Sequence, residues 1–252
     1  MLLDVNIVQL AKFLNSAKRI TVLTGAGLSV ASGIPTFRET GGLWNNYRPE
    51  ELATPQAFIR NPKLVWAWYA SRREKVANSY PNNAHKVLAK WSKRFKGFSL
   101  ITQNVDGLHE RAGTVNVIRF HGSLWELKCW IPCSASPKHW KDKTVPFKRI
   151  PPCCPHCGGL ARPGVVWFGE SINPTVLKKS FEASRCDVFL TVGTSSVVNP
   201  AALLVSEAKS KGAYVAEINP KRTPASEIVD LSIKGTAEEI LINLEKELLA
   251  QN

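Results

Sequence analysis

The fold of this chain is constrained most by a short apolar strand that is followed directly by glycines. Residues 20–24 are apolar or β-branched, a pattern typical of a buried strand in a parallel sheet. The strand is followed by Gly25, Ala26 and Gly27, and the small residues at 29–32 then favour the start of a helix. Glycine lets the backbone approach a pyrophosphate closely, and free N–H groups at a helix start attract anions. The segment therefore predicts a phosphate-binding turn at the carboxyl end of a strand.

The glycine pattern departs from the usual dinucleotide-binding fingerprint. In G-x-G-x-x-G the third glycine falls on Val30, and no acidic residue is clearly placed to hold a ribose. On the glycines alone, a plain tight turn is an equally good interpretation. The next loop is more specific, because it combines glycines with one cation, Arg38, and two aromatics, Phe37 and Trp44. A long loop of this composition usually serves a function; the alternative is that the aromatics only pack it down.

The spacing of the cysteines predicts a metal site. The chain has six cysteines, and five of them lie between Cys129 and Cys157. In a chain without a recognisable export signal, such clustering favours metal binding over disulfides. Cys129 and Cys133 form one pair and Cys154 and Cys157 another, so four thiolates can close a tetrahedral, structural zinc site. Cys153 competes for the third ligand position, and we favour Cys154.

Charge and hydropathy patterning narrow the class of protein. The formal net charge is +13, which implies acidic partners such as nucleic acid, an acidic cofactor or acidic substrates. Residues 128–149 contain six Lys or Arg and one acid, Asp142, but no nucleic-acid-binding motif accompanies them, so a solvated basic surface is the competing interpretation. Residues 1–19 predict an amphipathic helix and not a secretion signal, and no run of 18 apolar residues occurs. We expect a cytoplasmic protein with no membrane association.

Strands and helices alternate along the chain, which predicts an α/β fold with a doubly wound, Rossmann-like parallel sheet. Predicted strands are 20–24, 99–102, 116–120, 165–168, 188–192 and 214–218; predicted helices include 55–60, 64–77, 84–94, 200–211 and 237–249. We expect the large domain to comprise residues 1–44, 84–125 and 164–252. A helical module at 45–83 and a zinc-binding module at 126–163 are expected to form a smaller domain.

Polar residues follow several of the predicted strands, at the edge where open α/β sheets bind ligands. Gln103, Asn104 and Asp106 follow the strand at 99–102, and their side chains suit an amide and ribose hydroxyls, although an Asx-rich turn fits equally well. His121 follows the strand at 116–120. A lone histidine is more often structural, but the adjacent glycine and the position at the crevice favour a general base.

Together these segments resemble the sirtuins, the NAD-dependent protein-lysine deacylases, over nearly the whole chain. The resemblance implies that His121, in the sequence Phe-His-Gly, is the general base, and that four cysteines hold a structural zinc. It implies that residues 165–169 pair with an extended acyl-lysine peptide through Val165, Val166, Phe168 and Gly169. It implies NAD contacts from Gly25, Ala26, Gly27, Ser29, Pro35, Thr36, Phe37, Arg38, Trp44, Gln103, Asn104, Asp106, Gly193, Thr194, Ser195, Asn219, Pro220, Lys221 and Ala237.

The same resemblance implies a mechanism. The acyl-lysine carbonyl oxygen attacks the ribose carbon of NAD, nicotinamide leaves, His121 removes a ribose hydroxyl proton, and the acyl group passes to ADP-ribose. NAD is consumed and no hydride is placed, which explains the missing dehydrogenase fingerprint. Two alternatives remain open at this stage: transfer of ADP-ribose to a protein, and a basic zinc protein that chiefly binds nucleic acid.

Tyr69 and Arg72 bear on which acyl group is removed. They are three residues apart on the predicted helix 64–77 and so share a face, whereas Arg73 is expected to point elsewhere. A phenol and a guanidinium together can bind a carboxylate; the alternative is that Tyr69 packs and Arg72 is solvated. The segment resembles the Tyr-x-x-Arg motif of sirtuins that remove succinyl and malonyl groups. We therefore expect desuccinylation and demalonylation alongside deacetylation.

Overall fold

A computed structural model describes residues 5–36 and 47–251, and in these residues a parallel sheet organises the chain. The strands are β1 Arg19–Thr24, β2 Gly97–Thr102, β3 Val117–Arg119, β4 Gly122–Cys129, β5 Trp140–Lys141, β6 Ala161–Val165, β7 Val188–Val192, β8 Tyr214–Asn219 and β9 Leu231–Lys234. Six of them form one sheet in the order β3-β2-β1-β7-β8-β9, with every neighbouring pair parallel. The predicted α/β, Rossmann-like fold class is confirmed.

Helices cover both faces of this sheet. They are α1 Val5–Ser16, α2 Pro49–Leu52, α3 Pro55–Arg60, α4 Pro62–Ala77, α5 Asn83–Arg94, α6 Leu108–Arg111, α7 Pro174–Ala183, α8 Leu203–Ser210 and α9 Ala237–Ala250, with 3₁₀ helices at Ala26–Ser32 and Pro224–Glu227. Leu10, Trp91 and Leu244, from α1, α5 and α9, share one core with β1 and β7. Leu204 of α8 packs with Phe189 in a second core on the other face. None of the helices in the described ranges combines the length and the apolarity that a membrane crossing requires.

A second, antiparallel sheet of order β5-β4-β6 packs against α3 and α4. Its core contains Phe58, Trp66, Leu127 and Trp167. The prediction that residues 165–168 rejoin the parallel sheet is wrong, because β6 ends at Val165 and pairs with β4 instead. The physical reason is the close approach of β4 and β6, which glycine permits, because a Cβ at Gly122 would lie 2.2 Å from the Gly164 carbonyl oxygen.

Other differences lie at element ends. Residues 29–32, predicted to start a helix, instead end the 3₁₀ helix Ala26–Ser32, which stops at Gly33 with φ of 80°. The predicted helix 200–211 begins three residues later, at Leu203. Strand β9 and helix α7 were not predicted. The domain boundaries drawn from the sequence stay predictions.

Candidate active site

The candidate site lies where the strand order of the parallel sheet reverses, between β1 and β7. Ligands of open α/β sheets bind in the crevice beyond the carboxyl ends of the strands at this point. The loops after the two strands are joined through the backbone: the Gly25 N–H donates to the Val192 carbonyl at 3.1 Å, and the Gly27 N–H donates to the Gly193 carbonyl at 2.8 Å. The glycine turn is therefore fastened to the loop that follows β7.

The contact between the loops after β1 and β7 explains why Gly25, Gly27 and Gly193 are glycines. A Cβ atom at Gly25 would lie 2.8 Å from the Gly193 carbonyl oxygen, and one at Gly27 would lie 2.8 Å from the Gly193 Cα. Gly193 has φ of 60°, and its Cβ would lie 2.6 Å from the Leu28 nitrogen. No real Cβ fits at these distances, so the two loops meet only because all three residues are glycine. The sequence explained two of these glycines by ligand approach, whereas the structure shows a loop-to-loop contact.

The predicted polar residues after β2 converge on this turn. Asn104 Nδ2 donates to the Gly25 carbonyl at 2.9 Å and to Ser29 Oγ at 3.2 Å. Ser29 Oγ donates to Asp106 Oδ2 at 2.9 Å. Gln103 Nε2 reaches across to Thr194 Oγ1 at 2.8 Å. Three predicted site segments, which follow β1, β2 and β7, are therefore joined by hydrogen bonds at this edge of the sheet.

Asp106 is the buried acid of this array. Its other carboxylate oxygen accepts the Leu108 N–H at 2.8 Å, and the Trp125 indole donates to its backbone carbonyl at 2.6 Å. Burial raises the pKa of Asp106, while the hydrogen bonds from Leu108 and Ser29 oppose that shift. These contacts fix the carboxylate behind Ser29, so it acts on the crevice by orienting the serine hydroxyl.

The far side of the crevice is built by the loops after β7 and β8. Asn219 Nδ2 donates to the Thr194 carbonyl at 3.4 Å and to the Lys221 carbonyl at 3.1 Å. The hydroxyl of Ser196 is buried without a hydrogen-bond partner in the described residues. Buried hydroxyls in proteins are nearly always hydrogen-bonded, so this one indicates a place for a polar ligand group.

The remaining predicted residues lie around these loops. Ser195, Pro220 and Lys221 are exposed, Ala237 is buried at the start of α9, and Pro35 and Thr36 are partly buried beyond the 3₁₀ helix. Phe37, Arg38 and Trp44 fall outside the described residues, so their predicted cofactor contacts stay predictions.

His121 lies at the start of β4 and faces the same crevice through Gln103. Its Nδ1 lies 3.2 Å from the Gln103 carbonyl oxygen. A carbonyl oxygen only accepts, so Nδ1 carries the proton and Nε2 is the basic nitrogen. Burial lowers the pKa of His121, with the Gln103 hydrogen bond opposing it, so the ring is neutral near pH 7. This arrangement has the geometry of a general base.

The segment predicted to bind peptide passes beside His121. The Val166 N–H donates to the His121 carbonyl at 2.9 Å, and the Phe168 N–H donates to the Ala53 carbonyl at 2.9 Å. Val165 is buried and paired with Gly122. Exposure is concentrated at Phe168 and Gly169, which places the accessible part of this segment at its carboxyl end.

Tyr69 and Arg72 share one face of α4, as predicted. The Tyr69 side chain is 2% exposed, and its hydroxyl accepts the Trp167 indole N–H at 2.9 Å. The guanidinium carbon of Arg72 lies 5.6 Å from the centre of the Tyr69 ring and 4.6 Å from that of Trp68. Burial lowers the pKa of Arg72, and the Tyr69 and Asp106 groups oppose that shift. A phenol and a guanidinium are therefore held side by side behind the site.

The cysteine cluster lies at the far end of the small sheet. Ligand atoms of Cys129, Cys154 and Cys157 lie within 4.8 Å of one another. Cys133 Sγ is 3.8 Å from Cys129 Sγ. Cys153 is exposed and bridges to Leu160 through its backbone, whereas Cys154 is buried in the cluster. The arrangement favours Cys154 over Cys153 and is able to hold a metal ion.

Comparison with known proteins decides the family. The Sir2 family model matches residues 25–200. This chain belongs to the Sir2 family. It is 53% identical over 219 residues to an NAD-dependent protein deacylase of Aquifex aeolicus, covering 86% of this chain and 90% of that protein. It is 49% identical over 239 residues to NAD-dependent protein deacylase 1 of Archaeoglobus fulgidus, covering 94% and 95%.

Solved Sir2 structures share the fold. A Sir2 homologue in complex with NAD superposes with a TM-score of 0.89 at 46% identity, covering 97% of this chain and 94% of that one. A Sir2 complex with a p53 peptide and NAD⁺ has a TM-score of 0.84 at 28% identity, covering 95% and 97%. The resemblance to the sirtuins inferred from the motifs is confirmed.

One buried residue of this Sir2 chain has contacts that the sequence did not predict. Arg73 is 1% exposed and forms an ion pair with Asp142 at 2.6 Å. It also donates to the Leu124 carbonyl at 2.9 Å and lies over Trp125 and Phe147, with 5.1 and 4.7 Å to the ring centres. It thus ties α4 to β4 and to the loop after β5. The available signal was Asp142, the one acid in the basic segment 128–149.

Proposed function

We propose that this Sir2 chain is an NAD-dependent protein-lysine deacylase. The observation that carries the proposal is the convergence, at the reversal of strand order, of three elements: the Gly25–Gly27 turn, the Gln103–Asp106 segment and a neutral His121 whose Nε2 is basic. The proposed protein partners are acylated-lysine substrates.

The crevice suits NAD as the co-substrate. The Ser196 hydroxyl and the Asn219 amide line its far side, where the adenosine half would lie, and the Ser29–Asn104–Asp106 array lines the opposite side. NAD supplies the ribose carbon that receives the acyl oxygen as nicotinamide departs. The protein side of the chemistry belongs to His121: the hydrogen bond from Nδ1 to Gln103 orients the ring, and Nε2 removes a proton from a ribose hydroxyl.

A structural zinc completes the proposed small domain. Cys129, Cys133, Cys154 and Cys157 would hold it, because four thiolates form a closed tetrahedral site with no position left for water. Such a site stabilises the fold of β4–β6 and takes no part in the reaction.

We propose that the acyl groups removed include succinyl and malonyl, which end in a carboxylate. The Tyr69 hydroxyl accepts from Trp167, yet no hydrogen bond among the described residues has it as the donor. The Arg72 guanidinium carbon lies 5.6 Å from the centre of the Tyr69 ring, and a carboxylate can accept hydrogen bonds from both a phenol and a guanidinium. Acetyl-lysine fits the same reaction without using this pair. Nucleic-acid association through residues 128–149 and a cytoplasmic location stay predictions of the sequence.

The test is nicotinamide release from NAD with matched acetyl-lysine and succinyl-lysine peptides. We expect turnover of both by the native chain, selective loss of succinyl turnover in Arg72→Met, and loss of both in His121→Ala. His139→Ala, which changes an exposed histidine, is the matched control and retains both activities. Release of nicotinamide with label from NAD appearing on protein and no deacylated peptide would indicate ADP-ribosyl transfer instead.

A further inference from the structure

Trp167 determines whether the buried Tyr69 hydroxyl is available as a hydrogen-bond donor or as an acceptor. An indole N–H is only a donor, whereas a phenol has one hydrogen and lone pairs. The contact of 2.9 Å between Trp167 Nε1 and Tyr69 Oη therefore uses a lone pair of the phenol and leaves its hydrogen to be donated elsewhere. Both residues are 2% exposed, so bulk water does not supply the missing acceptor. Tyr69 is thus kept as a donor.

The indole is itself held in one orientation. The guanidinium carbon of Arg162 lies 3.5 Å from the centre of the Trp167 ring, a close cation–π contact. Arg162 is anchored by two hydrogen bonds to Glu170, at 2.5 and 2.9 Å, and Glu170 also accepts the Trp167 backbone N–H at 2.9 Å. The ring and the backbone of Trp167 are therefore fixed by the same carboxylate–guanidinium pair.

We infer that Trp167 is a specificity-determining positioning residue for acyl groups that end in a carboxylate. It presents the Tyr69 hydrogen, next to the Arg72 guanidinium, to the free carboxylate of a succinyl or malonyl group. An acetyl group has no such carboxylate and gains nothing from this orientation. The inference rests on the proposed deacylase function and on the proposed carboxylate clamp.

Trp167→Phe tests the role of the indole N–H. Phenylalanine keeps an aromatic ring over Arg162 but removes the donor, so the Tyr69 hydroxyl becomes free to rotate. We expect the ratio of succinyl to acetyl kcat/KM to fall about five- to tenfold, the size of one lost orienting hydrogen bond. The change should appear mainly as a higher KM for succinyl peptide, because this contact binds a part of the substrate that does not react.

Two controls separate this role from general damage. Trp91→Phe removes an indole N–H that donates to Glu245 at 2.8 Å in the parallel-sheet domain, and it should leave the ratio unchanged. Tyr69→Phe removes the hydroxyl that Trp167 orients, so adding Trp167→Phe to it should cause no further change in the ratio. Loss of packing alone would instead lower both activities and add to the effect of Tyr69→Phe.

Each remaining outcome has a distinct meaning. An unchanged ratio in Trp167→Phe, with succinyl turnover lost in Arg72→Met, would show that Trp167 only packs. Native acetyl turnover without succinyl turnover would overturn the carboxylate clamp, and the role of Trp167 with it. Absence of turnover with both peptides would refute the proposed deacylase. Far-UV circular dichroism and the urea denaturation midpoint of each variant show whether it is folded before the kinetics are compared.

Discussion

At the scale of single residues, two buried histidines lie directly beneath the site. The rings of His85 and His109 are 4.9 Å apart, and each makes one side-chain hydrogen bond: His85 Nδ1 with Asn82 at 3.0 Å, and His109 Nε2 with Thr24 at 3.0 Å. The other ring nitrogen of each has no partner in the described residues. Burial lowers the pKa of His85 to about 3 and that of His109 well below its usual value. Both rings are therefore neutral in the folded protein.

These histidines make stability depend on pH with a definite sign. The folded pKa of His85 is about 3, below the unfolded value of 6.5, so the unfolded chain binds more protons between these values. The contribution of His85 is fully present above pH 6.5 and is lost as the pH falls toward 3. We expect His85→Gln to lose less free energy of unfolding than the native chain between pH 7 and pH 4.5, measured by urea denaturation. Equal losses in the two proteins would contradict this.

Local position along the chain carries the information about which polar residues lie near one another. Gln103, Asn104, Asp106 and His121 follow strands, and the carboxyl ends of parallel strands meet, so their convergence follows from the order of elements. Arg73 shows the limit: helix geometry gives the direction of its side chain but not what lies there. Its partner Asp142 is 69 residues away and comes near only through the packing of the small domain.

At the scale of elements, the contact between the β1 and β7 loops decides the shape of the crevice. It requires Gly193, whose φ of 60° and whose neighbour Leu28 both exclude a side chain. Gly212 also has a positive φ, 85°, but a Cβ there would meet nothing within 4 Å. Substituting each glycine therefore distinguishes the free-energy cost of a left-handed backbone, present at both positions, from the cost of a steric clash, present only at Gly193.

Alanine substitutions at these two glycines should differ in both stability and activity. Gly212→Ala should cost about 1 kcal/mol from the left-handed backbone alone. Gly193→Ala should cost about 1 to 3 kcal/mol more, because the new methyl group forces the two loops apart. Urea denaturation measures the difference, and nicotinamide release should fall only in Gly193→Ala. Similar losses of stability at both positions would show that the loops tolerate separation.

Sequence patterns predicted whether most long elements are helices or strands, but they did not predict every strand pairing. Helix α3 begins and ends as predicted, since Thr54 caps it and prolines follow both caps. The segment 165–168 was placed in the wrong sheet, because the apolar composition of a strand does not indicate which strand it pairs with. The strand pairs with β4 because Gly122 and Gly164 approach closely. A Cβ at Gly122 would lie 2.2 Å from the Gly164 carbonyl oxygen. That contact exists only in the folded chain.

At the scale of the whole molecule, the antiparallel sheet and the candidate active site share one hydrophobic core. This core unites Trp66 and Trp167 with Leu127 on β4 and with Leu108. The Leu108 N–H is one of the donors that hold Asp106. We therefore expect loss of order near the cysteine cluster to reach, through these packed side chains, the array that lines the crevice.

Removal of the metal should disorder this core and spare the parallel sheet. Without zinc, β4–β6 lose the cross-link between the four thiolates, and binding of a structural zinc contributes on the order of 10 kcal/mol to such modules. Chelation should therefore abolish nicotinamide release and shift the tryptophan fluorescence, since Trp66, Trp68, Trp125, Trp130, Trp140 and Trp167 belong to this core. Far-UV circular dichroism should keep most of its helical signal, because α1, α5 and α9 pack on the other core.

Two serine substitutions test the same coupling without a chelator. Cys154→Ser should abolish the stoichiometric zinc content, measured by atomic absorption, together with nicotinamide release. Cys153→Ser is its neighbour-matched control, and it should keep both, because its side chain is exposed and lies outside the cluster. Zinc lost from Cys154→Ser with full activity retained would uncouple the metal from the site. The shared core would then be held without the metal, by its packed side chains and by ion pairs such as that of Arg73 with Asp142.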